Sequence, residues 1–160
     1  MYGNDTLPGV AVSAAYRYTG SIWQGAPAAT WFKTVNVNGS EEEPAPIEVG
    51  TVMKELIDGS YSPIAVSDIA SSVSSLPGAR LAIVADKTAK TGTSTTTGEG
   101  EEAVTEAVPS TVLVGVCGHV DKAKLLVGTK HFTELTDAQQ IGLNLQLEAW
   151  GFLLLNVMQA

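Results

Sequence analysis

The chain has 160 residues and is acidic, with 17 acidic against 9 basic side chains and a formal net charge of −8. Because nucleic-acid binding depends on lysine and arginine neutralising phosphates, this balance argues against DNA or RNA as a partner. The single cysteine, Cys117, excludes an internal disulfide, and no run approaches the ~18 apolar residues of a membrane span. The first residues carry neither the basic nor the apolar stretch of a secretory signal, so we expect folding in a cytoplasm.

Residues 1–46 differ in composition from the remainder and predict an extended N-terminal arm with one or two short strands. Aromatic residues are spaced along it between glycines and prolines, no helical period persists, and residues 41–46 form a Glu/Pro-rich stretch typical of a stiff linker. Exposed aromatics on an arm are unfavourable unless a partner covers them. The residues predicted to contact that partner are Tyr16, Tyr18, Trp23, Trp31 and Phe32. The alternative is that the arm folds back onto its own domain.

The stretch that follows predicts β-strands. Residues 47–53 alternate well enough for a half-buried strand, and Asp58-Gly59 is a strong hairpin dipeptide because both turn positions tolerate positive φ. Residues 61–66 supply the return strand, and the apolar run at 79–85 fits a buried strand.

A low-complexity stretch over residues 87–107, rich in Thr, Gly and Glu, predicts an exposed loop or a long hairpin tip. Its glycines lack the Gly-Lys-Ser/Thr ending of a phosphate loop, and its acidic residues lack the spacing of a calcium loop. The β-branched run over residues 111–120 then resumes the sheet.

Thr136 and Gln139 form a capping box at the start of a helix predicted over residues 137–150, and Gly151 is placed to end it. The almost wholly apolar residues 152–157 follow as a terminal strand. Apolar residues on more than one helix face leave ordinary core packing and contact between subunits both open. The candidate subunit-interface residues are Leu143, Leu147, Trp150, Phe152 and Leu154.

Few residues of the sequence are candidates for a catalytic or metal-binding site. Cys117 and His119 share a strand face and could join His131 in a metal site. No second characteristic ligand pair accompanies them, so a packed cysteine and a hydrogen-bonded histidine are favoured. No Gly-x-Ser-x-Gly elbow marks a hydrolase. We therefore expect no catalytic, cofactor or metal site, and we do not expect an enzyme.

From residue 50 onward, seven segments follow one another in a recognisable order. They are Gly50-Thr51-Val52-Met53, Tyr61-Ser62-Pro63, residues 82–86, residues 112–120, Ala123-Lys124-Leu125, a helix over residues 135–149 and residues 151–154. This order of features resembles the lambda-type bacteriophage head decoration proteins, a family that stabilises capsids. The N-terminal arm and the Thr/Glu loop of this chain are longer than in many members.

The resemblance implies a mainly β fold with a minor α component. It places a small decoration-protein domain with one C-terminal helix over residues 47–160, behind a capsid-binding arm at residues 1–46. It also implies a homotrimer over threefold points of the shell, with the arms lying along the major capsid protein and adding strands to it. The expected function is non-covalent cementing of neighbouring capsomers on the outer surface of a tailed-phage virion, with no nucleic-acid or membrane contact.

A function of a different class stays open, namely a host- or glycan-binding β-module displayed on a virion or cell surface. That function predicts an exposed aromatic platform on the folded domain. The tryptophans of this sequence lie in the predicted arm and helix instead, which favours the decoration function.

Overall fold

A computed structural model of the chain describes residues 22–24, 30–69, 79–98 and 104–156. These residues form a mainly β fold with an α-helix near the C-terminal end, as predicted. Within them, no helix is both long and apolar enough to cross a bilayer. The strands are β1 (Trp23–Gln24), β2 (Trp31–Val37), β3 (Val52–Glu55), β4 (Tyr61–Pro63), β5 (Leu81–Val84), β6 (Thr93–Thr97), β7 (Val104–Val108), β8 (Ser110–Asp121), β9 (Leu126–Val127), β10 (Lys130–His131) and β11 (Phe152–Leu155). The helical elements are α1 (Asp137–Ala149) and three short 3-10 turns (Val66–Asp68, Lys122–Lys124 and Phe132–Glu134).

Five of these strands form a closed barrel. The longest strand, β8, pairs antiparallel with β2 along one side and with β5 along the other. β5 pairs with β3, β3 pairs with β4, and β4 returns to β2 through the pair Val37–Tyr61, which completes the circuit. Because closure joins each of the five strands to two neighbours, the barrel itself offers little free edge to another chain.

The barrel interior is an apolar cluster to which all five strands contribute. Successive residues of a strand face opposite sides, so Val112 and Val114 point inward from β8 while Leu113 packs against the cluster outside. All four residues of β5 are buried because both of its faces are covered, which explains its uninterrupted apolar run. The interior side chains are Val35, Val37, Met53, Tyr61, Ala82, Val84, Val112 and Val114, with Ile47 and Ala89 beside them.

Helix α1 covers the outside of the barrel through a second apolar cluster. The helix begins as predicted: the Thr136 hydroxyl accepts from the Gln139 N–H, and the Gln139 side chain accepts from the Thr136 N–H. Leu143 and Leu147 are fully buried on the face of the helix that packs against the barrel. Gly151, at φ +88°, reverses the chain into β11, which runs parallel to the end of β8.

The hairpin predicted at Asp58-Gly59 connects β3 to β4. Gly59 has φ +80°, a conformation that glycine adopts without a steric penalty. The Asp58 carboxylate accepts from the Ser60 N–H at 2.9 Å and from the Ser60 hydroxyl at 2.6 Å. The stretch predicted to be exposed, residues 87–107, contains most of the β6–β7 ribbon, which stands outside the barrel sheet.

The described part of residues 1–46 belongs to the barrel domain, which corrects the predicted boundary between arm and body. β2 is a barrel strand that pairs with β8 over its whole length. β1 adds to the far end of β8, where Trp23 is fully buried. The alternative, in which this segment folds back on its own domain, is therefore correct for β1 and β2. Residues 1–21 lie outside the described residues, and their extended form stays a prediction.

The Glu/Pro-rich segment at residues 41–46 crosses one end of the barrel and does not link two separate bodies. The Ala45 carbonyl accepts from the Thr91 N–H at 2.8 Å, and the Ile47 N–H donates to the Ala89 carbonyl at 2.8 Å. These bonds tie the segment to the connection between β5 and the ribbon.

Candidate interaction surfaces

Exposed apolar side chains show where a protein can contact a partner, because water contact with a large apolar patch is unfavourable. The barrel has two distinct ends. We call one the aromatic end; it is formed by β1, the start of β2 and the end of β8. The opposite end, where β7 leads into β8, is the ribbon end. The large apolar side chains that stay exposed in the described residues are Trp31, Ile57, Val104, Val108, Ile141 and Leu153.

The five residues predicted to bind a capsid have different surroundings. Trp31 is 68% exposed at the aromatic end. Trp23 is fully buried in the cluster outside the barrel, so the prediction is wrong for this residue. Phe32 is half-buried against the same cluster. Tyr16 and Tyr18 lie outside the described residues.

Trp23 is buried because Gly115 leaves space for its indole ring. A Cβ atom at Gly115 would overlap that ring. The ring packs edge-on against Phe32 with centroids 5.2 Å apart, and it lies tilted against Phe152 at 6.4 Å. Its N–H has no hydrogen-bond partner among the described residues. Apolar packing therefore holds Trp23 in place, and the ring is not available to a second protein.

The predicted subunit interface is also largely core. Leu143 and Leu147 are fully buried and Phe152 is 2% exposed, so these three residues pack inside their own chain and the interface prediction is wrong for them. Trp150 is half-buried; its indole N–H donates to the Ala79 carbonyl at 3.1 Å. Leu154 is half-buried and packs against the outer cluster.

A shallow groove remains open between α1 and β11. Its lining is mixed, with four apolar side chains and four polar ones: Phe132, Ile141, Leu145, Leu154, Lys122, Gln140, Asn144 and Glu148. Ile141 is 57% exposed, so the face of the helix that projects away from the barrel carries an apolar side chain in water. The sequence left core packing and subunit contact both open for this helix, because apolar spacing alone does not distinguish a buried from an exposed position.

The side chains that the sequence offered as metal ligands are not grouped into a site. Cys117 and His119 are half-buried on β8, and His131 is exposed on β10. Among the residues that the structure describes, no three His, Cys, Asp or Glu side chains are grouped as a metal site requires.

Among the residues with described positions, two aspartates have a lowered pKa, and both accept hydrogen bonds within turns. The pKa of Asp58 is lowered because its carboxylate accepts from the hydroxyl and the N–H of Ser60. The pKa of Asp68 is lowered first by the Ala65 N–H, which donates at 2.8 Å, and then by Lys54, whose ammonium lies 3.0 Å from the carboxylate. Hydrogen bonds within a local turn are the main cause of both shifts, and the ion pair with Lys54 adds to that of Asp68.

Comparison with known proteins gave no match. No family model matches the chain, and neither the curated proteins nor the solved structures include a match to it. The fold defines a small closed β-barrel protein with an α-helix and a parallel strand packed on its outside and an exposed β-ribbon at one end.

Proposed function

We propose that this chain is a structural virion protein that binds the outer face of a tailed-phage capsid and joins neighbouring capsomers. The observation that carries the proposal is where the family-like segments fall in the fold. Segments 61–63 and 112–120 lie within β4 and β8, and segments 50–53 and 82–86 overlap β3 and β5 in part, so they reach four of the five barrel strands. The family-like helix and final segment coincide with α1 and β11, which cover that barrel. The resemblance therefore extends over four barrel strands and the helix and strand packed outside them, while the fifth barrel strand, β2, comes from the segment predicted as the arm.

The capsid contact in this proposal lies at the aromatic end. Trp31 stands exposed there, and a tryptophan that becomes buried at an interface often supplies a large part of the binding energy. Residues 1–21 precede β1 and so join the body at the same end. We assign them, with Tyr16 and Tyr18, to contact with the major capsid protein. Trp23 has no such role because it belongs to the core.

The charge of the chain supports a position on the outer surface of the shell. Its net charge is −8, and packaged DNA would repel an acidic protein at the inner surface. Binding to the outer surface of the shell requires no contact with phosphate groups. The small number of lysines and arginines is therefore compatible with this position.

We also propose that the chain associates as a homotrimer. Because most of the predicted interface residues are buried in their own chain, we place the contact between copies at exposed residues instead. Ile141, Leu145 and Leu154 line the open groove between α1 and β11, so a neighbouring copy can bury them. Three capsid contacts on one trimer would bind together, which makes a modest single contact effectively strong.

Co-sedimentation with undecorated capsids, assembled from the major capsid protein of the same genome, tests the proposal. We expect the full chain to pellet with these capsids. Trp31→Ala should weaken binding at least about tenfold, or about 1.4 kcal/mol, because an exposed aromatic anchor is removed. Ile57→Ala is the matched control, since Ile57 is also a large exposed apolar side chain but lies in the β3–β4 turn. Removal of residues 1–20 should also weaken pelleting while circular dichroism stays unchanged.

A full chain that stays in the supernatant at micromolar concentration would refute the capsid-binding proposal. Equal pelleting of the wild type, the Trp31→Ala variant and the truncated chain would refute the assignment of the contact to the aromatic end.

A further inference from the structure

A pocket lies between residues of α1, β3, the start of β5 and the short 3-10 turn Val66–Asp68. Its volume is about 520 Å³, which falls within the roughly 300–1,000 Å³ that small-molecule sites occupy. Three of the side chains that line it are apolar, namely Leu56, Ile64 and Leu81. Ile64 and Leu81 are almost fully buried in the outer apolar cluster, so this part of the pocket wall is continuous with the core.

Gln146 reaches the pocket from the buried side of α1. It is 4% exposed, and its neighbours on that side, Leu143 and Leu147, are fully buried. The side-chain nitrogen of Gln146 is buried and has no hydrogen-bond partner among the described residues. A buried donor without an acceptor is destabilising, and proteins usually pair such a group. A leucine would fill the same position without this penalty, so the unpaired amide indicates a group that is bonded only when a ligand is present.

The Gln146 amide can turn toward the pocket. The last torsion of a glutamine side chain has a broad, roughly twofold preference, so rotation of the amide plane requires little energy. Because Gln146 itself lines the pocket, a ligand there lies within reach of the N–H group.

The charged side chains of the pocket leave it with one negative charge, since one lysine and two carboxylates line it. Lys54 and Asp68 form an ion pair at 3.0 Å, with 30% and 34% of their side-chain surface exposed. Glu55 is the third charged residue of the lining. Because Asp68 already pairs with Lys54, the described lining has no second cation that could hold an anionic ligand.

These features define the chemistry of a ligand. The apolar wall requires an aliphatic body, and the unpaired N–H requires an acceptor such as a carbonyl oxygen. The negative balance disfavours an anion, and burial against the apolar wall disfavours any charged group. A compact molecule meets these requirements within one concave pocket, whereas a protein partner usually covers a surface of about 800 Å².

We propose that this pocket binds a small uncharged molecule with an aliphatic body and a carbonyl oxygen, which accepts a hydrogen bond from the Gln146 side-chain amide. Leu56, Ile64 and Leu81 contact the aliphatic body. The proposal goes beyond capsid attachment and does not depend on it, since Trp31 is not among the residues that line the pocket.

Nuclear magnetic resonance of the nitrogen-15-labelled full chain tests the proposal, because it detects weak binding and resolves side-chain amides. The ligand used is N-acetyl-leucine methylamide. One control, N-acetyl-leucine, has the same aliphatic body but carries a carboxylate, and the other, N-acetyl-glycine methylamide, lacks the aliphatic body. We expect N-acetyl-leucine methylamide to cause saturable shifts at the Gln146 side-chain amide, and each control to bind at least about fivefold more weakly.

Two variants and a matched control locate the site. Gln146→Leu removes the donor and should weaken binding at least about fivefold, while the urea midpoint of unfolding rises because no unpaired amide remains in the core. Ala79→Leu fills the pocket from a lining position and should weaken binding by a similar factor. Ala65→Leu is the control, since Ala65 is exposed and does not line the pocket, and this variant should bind like the wild type.

The absence of saturable shifts in the wild type, or equal affinities of the wild type and the Ala79→Leu variant, would overturn the proposal. A lower urea midpoint for Gln146→Leu would mean that the amide is bonded within the protein, which also overturns it. Tighter binding of the same leucine within acetyl-Gly-Gly-Leu-Gly-Gly-amide would identify a protein segment as the occupant and overturn the assignment to a free small molecule.

Discussion

The contact between Trp23 and Gly115 offers a direct test of why the N-terminal segment belongs to the core. The indole ring occupies the space that a side chain at Gly115 would need. Gly115 is not among the glycines with positive φ, so alanine there meets no backbone strain and its effect reports the ring contact. The test is a double-mutant cycle of Trp23→Ala and Gly115→Ala.

The magnitudes follow from burial. Trp23 is fully buried, and replacing a buried tryptophan with alanine lowers the free energy of unfolding by about 3–5 kcal/mol. Gly115→Ala alone forces a methyl group against the ring and should lower it by about 1–3 kcal/mol. In the Trp23→Ala background the same methyl group enters the vacated space. The double variant should therefore be more stable than the sum of the single effects indicates, by about 1–3 kcal/mol.

Urea unfolding followed by far-ultraviolet circular dichroism gives the four free energies without depending on tryptophan fluorescence. Trp31→Ala is the matched control, because Trp31 is 68% exposed and its loss should change stability by about 0.5 kcal/mol or less. Additive single effects would refute the ring contact. A Trp23→Ala effect as small as that of Trp31→Ala would refute the burial of Trp23 and restore its predicted role in partner binding.

Two further predictions concern local hydrogen bonds. The folded-state pKa of Asp68 lies below its usual 3.8, chiefly because the Ala65 N–H donates to it. Its stabilising contribution is therefore present above about pH 4 and is lost as pH falls through the folded pKa. The difference in unfolding free energy between wild type and Asp68→Asn should narrow on acidification, and a constant difference would contradict the pKa shift. Thr136→Ala removes the cap of α1 and should cost about 0.5–2 kcal/mol, measured by urea unfolding, whereas the exposed Thr133→Ala should cost almost nothing.

Local signals predicted individual elements well. The capping box of Thr136 and Gln139 placed the start of α1 correctly, because the bonds that begin a helix join residues three apart in sequence. The Asp58-Gly59 turn was predicted for a similar reason, since a turn is specified by the φ values that its own residues can adopt.

The candidate contact residues were predicted less well because exposure is a tertiary property. Trp23 and Trp31 are both tryptophans in a segment rich in glycine and proline, and nothing local distinguishes them. One is buried because Gly115, 92 positions later, leaves room for its ring. The other is exposed at the end of β2. Leu143 and Ile141 differ in the same way, since only the position of the barrel decides which side of α1 is covered.

The amino-acid sequence by itself determined the mainly β character, the position of the C-terminal helix, the main turns and the exposed Thr/Glu stretch. These features depend on periodicity, capping and backbone preferences within a few residues. Tertiary structure alone decided that the strands close into a barrel, that β1 and β2 belong to it, and which aromatic side chains face water. Each of these depends on β8 pairing with partners far away in the chain, and long-range pairing leaves no local pattern from which it can be predicted.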